Sequence, residues 1–221
     1  MLNSSEISQY FLTMPLWEWL AVILSLAYVL LAAKGNKWCW PAAFFSTLIY
    51  TLIFYDVALF MDSFLNVYYM VMAVYGWYFW QNKQADTSSN ISSQSTELIL
   101  QSWSVVAHSK AIALLLLAAL AIGFFMANYT SASFPYLDTI TTVFAIFATY
   151  LVAQKIVENW LYWLVIDVIS IYLYIAKGLQ PTAFLFCIYL IIAAYGYWSW
   201  LRKYKMQRSS VNTIALEVEV N

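Results

Sequence analysis

Seven apolar runs of about twenty residues recur along this chain with almost no charge inside them, and that pattern leaves very few folds open. They fall at about 17–33, 39–55, 61–80, 110–127, 135–152, 159–175 and 181–200. A spanning helix needs roughly 17–25 mostly apolar residues. In lipid no water satisfies backbone N–H and C=O groups, so runs of this length fold as helices. Composition agrees: 64% of residues are hydrophobic and 10% charged, against about 45–50% and about 25% in soluble domains. The expectation is an all-α membrane protein with seven transmembrane helices. No polar segment is long enough for a second soluble domain. A net charge of −1 offers no nucleic-acid surface. The first ten residues are polar and lack a basic n-region, so no signal peptide is expected. Cys39 and Cys187 fall at or in apolar segments and are expected as buried free thiols, not a disulfide scaffold.

Residues 81–107 are polar and low in complexity and form the one real linker, with a short surface helix expected over 98–106. Residues 206–221 read as a disordered soluble tail. Lysine and arginine set the topology. With the N-terminus outside, Lys34, Lys37, Lys83, Lys110, Lys155, Arg202, Lys203, Lys205 and Arg208 fall inside, and only Lys177 falls outside. The reading is N-out, C-in.

An internal repeat stands at an offset of 120 residues. Leu31, Ala33 and Trp40 recur as Leu151, Ala153 and Trp160. Phe64, Leu65 and Tyr69 recur as Phe184, Leu185 and Tyr189. The ends agree best: Tyr75, Gly76 and Trp80 against Tyr195, Gly196 and Trp200. Two fused three-helix units would face opposite ways, and the helix at 110–127 restores the second to the orientation of the first. This gives a 3+1+3 parallel-repeat, SWEET-like plan, in which substrate sites lie between the repeats near the midplane. The divisions are an outer segment 1–16, repeat 17–80, linker 81–109, linker helix 110–127, repeat 135–200 and cytoplasmic tail 201–221.

The stretch 158–167, Glu-Asn-Trp-Leu-Tyr-Trp-Leu-Val-Ile-Asp, carries the candidate chemistry. On a helix Trp160, Trp163 and Asp167 share one face. Aromatic faces attract cations, and a carboxylate in hydrocarbon belongs in a bundle interior or a wet cavity. Three readings compete for Asp167: it binds a cationic solute, it is protonated and hydrogen-bonded between helices, or it relays protons. Trp160 reads equally as an interfacial belt residue. Trp163, one turn deeper, reads as a stacking platform. Glu158 and Asn159 stand at the helix start, where capping is the favoured reading. Asn66 is the amide well inside the third helix, either bonded to a neighbouring helix or reading a ligand edge. Ser46 and Thr47 are weaker candidates, since hydroxyls often bond their own backbone. Glu18 and Asp138 correspond under the offset and suit helix N-termini. With Asp56 and Asp62 they could also form an acidic entrance. Gly76 and Gly196 suit close helix approach, and Tyr75 and Tyr195 beside them are candidates to reach a cavity.

Other chemistries lack their residues. His108 is the single histidine, so no metal cluster is expected, and no phosphate-cradling Gly-x-x-x-x-Gly-Lys run occurs. No cofactor and no enzymatic activity are expected. The partners expected are a small, flat, positively charged solute and the bilayer, with a homo-oligomer left open.

These motifs resemble the PnuC family of bacterial vitamin transporters. They are Glu158-Asn159-Trp160-Leu161-Tyr162-Trp163 with Asp167 after it, Tyr75-Gly76-Trp77-Tyr78-Phe79-Trp80, and Phe134-Pro135-Tyr136-Leu137-Asp138. The likeness covers about residues 17–200. It implies facilitated diffusion of a small-molecule vitamin (nicotinamide riboside, riboflavin or thiamine) across the bacterial inner membrane, trapped afterwards by intracellular phosphorylation. The family's nicotinamide riboside members carry Asn where this chain has Asp167, and Gln where it has Asn66. An ionised carboxylate accepts only, which suits an amino group or a fixed positive charge. The chain therefore resembles the PnuT, thiamine-type branch most, with nicotinamide riboside as the runner-up and proton-coupled vitamin uptake also open. The substrate-binding set expected on this basis is Asp167, Trp163, Trp160, Asn66, Asn159 and Tyr195.

Overall fold

The computed structural model describes residues 15–56, 60–85, 99–130, 134–178 and 180–220. Within them lie seven helices: α1 (Leu16–Lys34), α2 (Cys39–Asp56), α3 (Phe60–Ala85), α4 (Val105–Tyr129), α5 (Pro135–Ala153), α6 (Asn159–Ala176) and α7 (Gln180–Val220). A shift of 120 residues carries both ends of α2 onto those of α6, and the start of α3 onto that of α7.

Among the described residues, five helices (α1, α4, α5, α6 and α7) are long and apolar enough to cross a membrane, not the seven that the runs suggested. The other two, α2 and α3, have the length, about 27 Å and 39 Å at about 1.5 Å per residue. Their shortfall is apolarity: α2 carries Ser46, Thr47, Tyr50, Thr51 and Tyr55, and α3 carries Asn66 and four tyrosines.

Packing follows the same spacing. Neighbouring helices pack as α1–α2, α2–α3, α5–α6 and α6–α7, and α4 packs on α5. The halves meet where α1 packs on α7 and α3 on α5, two contacts that the 120-residue shift interchanges. The helix-ending turns repeat as well. Gly35 has φ 73° and donates to the Ala32 carbonyl at 2.8 Å, while Asn36 donates to Leu31 at 2.9 Å. Lys155 has φ 62° and donates to Val152 at 3.0 Å, while Ile156 donates to Leu151 at 3.0 Å. Both are left-handed helix stops of the kind glycine favours. Lys155 occupies one of them without glycine's freedom, at a cost of about 1–2 kcal/mol. Its buried ammonium lies 5.8 Å from the Trp80 ring centroid, an attraction that offsets part of that cost.

Tryptophan fills the core at this end of the bundle. Trp40 meets Trp80 edge-on at 5.3 Å, and Trp160 meets Trp200 edge-on at 5.6 Å. Trp80 and Trp200 lie 6.1 Å apart between the halves. Their indoles reach across: Trp80 Nε1 donates to the Ala153 carbonyl and Trp200 Nε1 to that of Ala32, each at 3.0 Å. Gly76 and Gly196 allow this packing. A Cβ on Gly76 would stand 2.4 Å from the Trp40 ring, and one on Gly196 2.7 Å from the Trp160 ring.

Three further expectations are corrected. Residues 99–104 are an extended strap, not a surface helix, because Leu100 is buried in the core and Gln101 pairs in parallel with Ile156. Helix α4 then starts at Val105, with Ser104 Oγ accepting from the Ala107 N–H at 3.3 Å. Residues 206–220 continue α7 instead of forming a disordered tail. The extension is anchored where Leu201 and Tyr204 pack on the core and Gln207 Oε1 accepts from the Leu100 N–H at 3.1 Å. Cys39 is buried, but Cys187 sits exposed on the outer face of α7. The side chains of Lys83 and Asp62 lie outside the described residues.

Candidate solute cavity

A cavity of about 270 Å³ opens between the halves, near the lower end of small-molecule sites, about 300–1,000 Å³. Every helix but α4 contributes to its wall. The α6 face places Trp160, Trp163 and Asp167 in it, as their spacing predicted, and Asn66 of α3 joins them. Trp160 is 2% exposed, so it belongs to the core and not to an interfacial belt.

Asp167 is 3% exposed and about 12 Å from the start of α6. Among the described residues, no Lys or Arg lines the cavity with it. The other polar groups of the wall are largely occupied. Ser46 Oγ donates to the Ala21 carbonyl at 2.9 Å, Thr47 Oγ1 to Ala43 at 2.8 Å, and Thr149 Oγ1 to Ala145 at 2.8 Å. Ser25 Oγ donates to Val22 at 2.8 Å, so the Tyr189 hydroxyl, 3.0 Å away, donates to it. Trp40 and Trp160 each leave a buried Nε1–H without an acceptor among the described residues. The wall thus offers aromatic surface, one carboxylate and two indole donors.

Two expected site residues fall outside the lining. Asn159 is fully buried, with Nδ2 donating to the Ile156 carbonyl at 2.6 Å. It is turned by about 100° from Trp160, one residue's rotation on a helix. Tyr195 is 43% exposed and lies against Trp198. Its neighbour Gly196 faces Trp160, so Tyr195 is turned away, and Tyr75 is exposed likewise. The sequence reading also missed Trp40, Tyr28, Tyr69 and Tyr189, which line the cavity. The repeat held the signal for three of these, since Trp40 is the counterpart of Trp160, and Tyr69 that of Tyr189.

The capping role expected of Glu158 does not hold. Its side chain makes no cap bond. One oxygen accepts from Ser102 Oγ at 2.5 Å, and the other from the Trp103 N–H at 3.4 Å. That second oxygen is 3.6 Å from His108 Nε2, and His108 Nδ1 pairs with the Tyr162 hydroxyl at 2.9 Å. At the opposite end of the bundle Asp138 takes both oxygens to Lys177 Nζ, at 2.8 and 2.9 Å, an ion pair between α5 and α6.

Residues 15–202 match the family model described as nicotinamide mononucleotide transporter. The chain belongs to this PnuC family of transporters. The nicotinamide riboside transporter PnuC of Escherichia coli is 25% identical over 170 residues, covering 69% of this chain and 71% of the relative. The riboflavin/roseoflavin transporter RibM of Streptomyces davaonensis is 28% identical over 179 residues, covering 80% and 81%. In fold, the crystal structure of the vitamin B3 transporter PnuC matches with a TM-score of 0.71 at 19% identity, over 90% of this chain and 87% of that one. A PnuC-family chain is a multi-pass membrane transporter, which fits the five strongly apolar helices.

Proposed function

We propose that the chain takes up a flat, positively charged vitamin, nicotinamide riboside first, by facilitated diffusion. The observation that carries this is Asp167: a buried carboxylate beside Trp160 and Trp163 in an apolar cavity that no Lys or Arg of the described residues lines. A pyridinium cation supplies the missing charge and a ring for the indoles to stack on. Thiamine, the first choice from the sequence, becomes the second reading. A carboxylate suits a pyridinium as well as a thiazolium, so Asp167 does not separate them, and the relatives above are named for nicotinamide riboside and for riboflavin. Its remaining support is the amino group that an accepting carboxylate suits. Riboflavin is neutral and gains nothing from that charge.

The transport cycle proposed is alternating access between two parallel three-helix repeats, α1–α3 and α5–α7, with α4 as the linking helix. Equivalent helix ends, equivalent Trp–Gly contacts and the interchanged α1–α7 and α3–α5 packing support it. All seven helices would span the bacterial inner membrane, N-terminus out and C-terminus in, on the lysine and arginine distribution. The strap end of the bundle is then cytoplasmic.

The test is binding of radiolabelled nicotinamide riboside, thiamine and riboflavin to purified protein, then counterflow in proteoliposomes. Nicotinamide riboside should bind tightest and exchange without a pH gradient. No binding of nicotinamide riboside alongside tight thiamine binding would reverse the substrate order. Uptake that requires an imposed proton gradient would replace facilitated diffusion with proton coupling.

A further inference from the structure

The strap is the main feature that the repeat does not explain. Residues 99–104 cross the α5–α6 turn, where the Gln101 N–H donates to the Lys155 carbonyl and the Val157 N–H to the Gln101 carbonyl, both at 2.9 Å. Leu100 anchors the strap in the core and against Gln207 of α7. Glu158, the residue just before α6, gathers Ser102, Trp103 and His108 on one carboxylate. His108 then returns to α6 through Tyr162. Two residues after Glu158 comes Trp160, and one turn further Trp163.

The first half is built otherwise. Trp38 stands in the place equivalent to Glu158 and is 59% exposed. Among the described residues no strap reaches that turn, and the Lys34 carbonyl accepts from Lys203 Nζ at 2.7 Å. One end of the cavity wall is therefore bolted and its counterpart is not.

We propose that Glu158 is a positioning residue. By holding the strap it fixes the first turn of α6, and with it Trp160 and Trp163, at a set depth in the cavity wall. The cavity's role as the vitamin site is taken from the function proposed above. A partly buried carboxylate that accepts from two strap donors, with the His108 ring beside it, is a strong clamp, because charge-assisted hydrogen bonds are about twice as strong as neutral ones.

The experiment is amide hydrogen exchange on the full-length purified protein, with vitamin affinity measured on the same samples. Glu158→Gln should raise exchange of the Gln101, Trp103 and Val157 amides about tenfold. It should also speed exchange over residues 161–164 and weaken vitamin binding several-fold, as a higher KM at an unchanged maximal rate per folded transporter. Ser102→Ala, at an exposed position, should give the same pattern at smaller size, and should add little on top of Glu158→Gln. If Glu158→Gln fails to fold, Ser102→Ala alone carries the test. Unchanged strap exchange would overturn the proposal. So would a loosened strap with residues 161–164 and affinity at wild-type values. If the wild-type protein binds none of the three vitamins, the proposed function falls, and exchange over 161–164 alone decides the positioning role.

Discussion

The halves α1–α3 and α5–α7 share their skeleton and differ in what they show the cavity. Trp40 and Trp160, Gly76 and Gly196, and Trp80 and Trp200 occupy equivalent places and make equivalent contacts, and Tyr69 and Tyr189 both line the cavity. The lining residues between them do not match. Asp167 stands where the first half has Thr47, Trp163 where it has Ala43, and Asn66 where the second half has Phe186. Bulky aromatic pairs fix how helices pack, so a duplicated scaffold keeps them in both copies. A solute with a charged end and a flat ring is not two-fold symmetric, so the lining has to differ. The one carboxylate of the wall stands on α6, and the strap braces that same helix.

The largest effect expected from this asymmetry is at Asp167. Asp167→Asn removes the charge and keeps the shape. Affinity for a cationic vitamin should fall about 100-fold, the loss of one desolvated charge pair. Thr47→Asn, at the equivalent place, should change it by less than about threefold, since Thr47 already bonds its own backbone. Equilibrium binding to the purified variants decides it. Equal losses at the two positions would end the idea that one half reads the charge.

Next come the glycines, which probe the shared skeleton. Gly76→Ala and Gly196→Ala each push a methyl into an indole, at 2.4 and 2.7 Å. Each should cost about 1–3 kcal/mol, the penalty of overpacking a filled core. Thermal unfolding in detergent should show a similar drop for both. A large drop in one alone would break the structural equivalence of the halves.

Trp163→Ala is expected to come third. Ala43 stands at its counterpart position, so the substitution makes the two walls alike there. Loss of one stacking face should weaken binding about tenfold, in line with cation–π attractions of up to about 2 kcal/mol in desolvated sites. Stability should fall less than in the glycine variants, because Trp163 is only half-buried. Affinity unchanged in Trp163→Ala would remove the stacking role.

The helix pattern, the repeat and the α6 face were legible in the sequence because each rests on local periodicity. Trp160, Trp163 and Asp167 had to share a face wherever α6 went. What stayed hidden depends on long-range contacts. The strap contains no apolar run or period, and only the Gln101–Ile156 pairing and the burial of Leu100 reveal it. Glu158 reads as a cap because most acids at a helix start are caps, yet its partners lie about fifty residues earlier. Asn159 and Tyr195 were placed at the cavity by proximity to motif residues, and helix rotation carried both away from it. The runs at α2 and α3 read as strongly as the others by length, but their hydroxyl and tyrosine residues leave them less apolar than the other five helices.

The smallest effect expected, and the finest comparison, lies in the two helix stops. Gly35 and Lys155 adopt the same left-handed turn with the same pair of backbone bonds. Gly35→Ala adds a Cβ to a backbone with φ 73° and should destabilise by about 1 kcal/mol. Lys155→Gly should come out within about 1 kcal/mol of neutral. It relieves the same strain, and it removes the ammonium from the Trp80 ring, a loss of similar size. Paired unfolding measurements on the two variants separate these terms. A Lys155→Gly protein destabilised by much more than Gly35→Ala would mean that the lysine side chain, and not the backbone turn, is what this corner of the second half requires. The equivalence of the two stops would then be one of geometry alone.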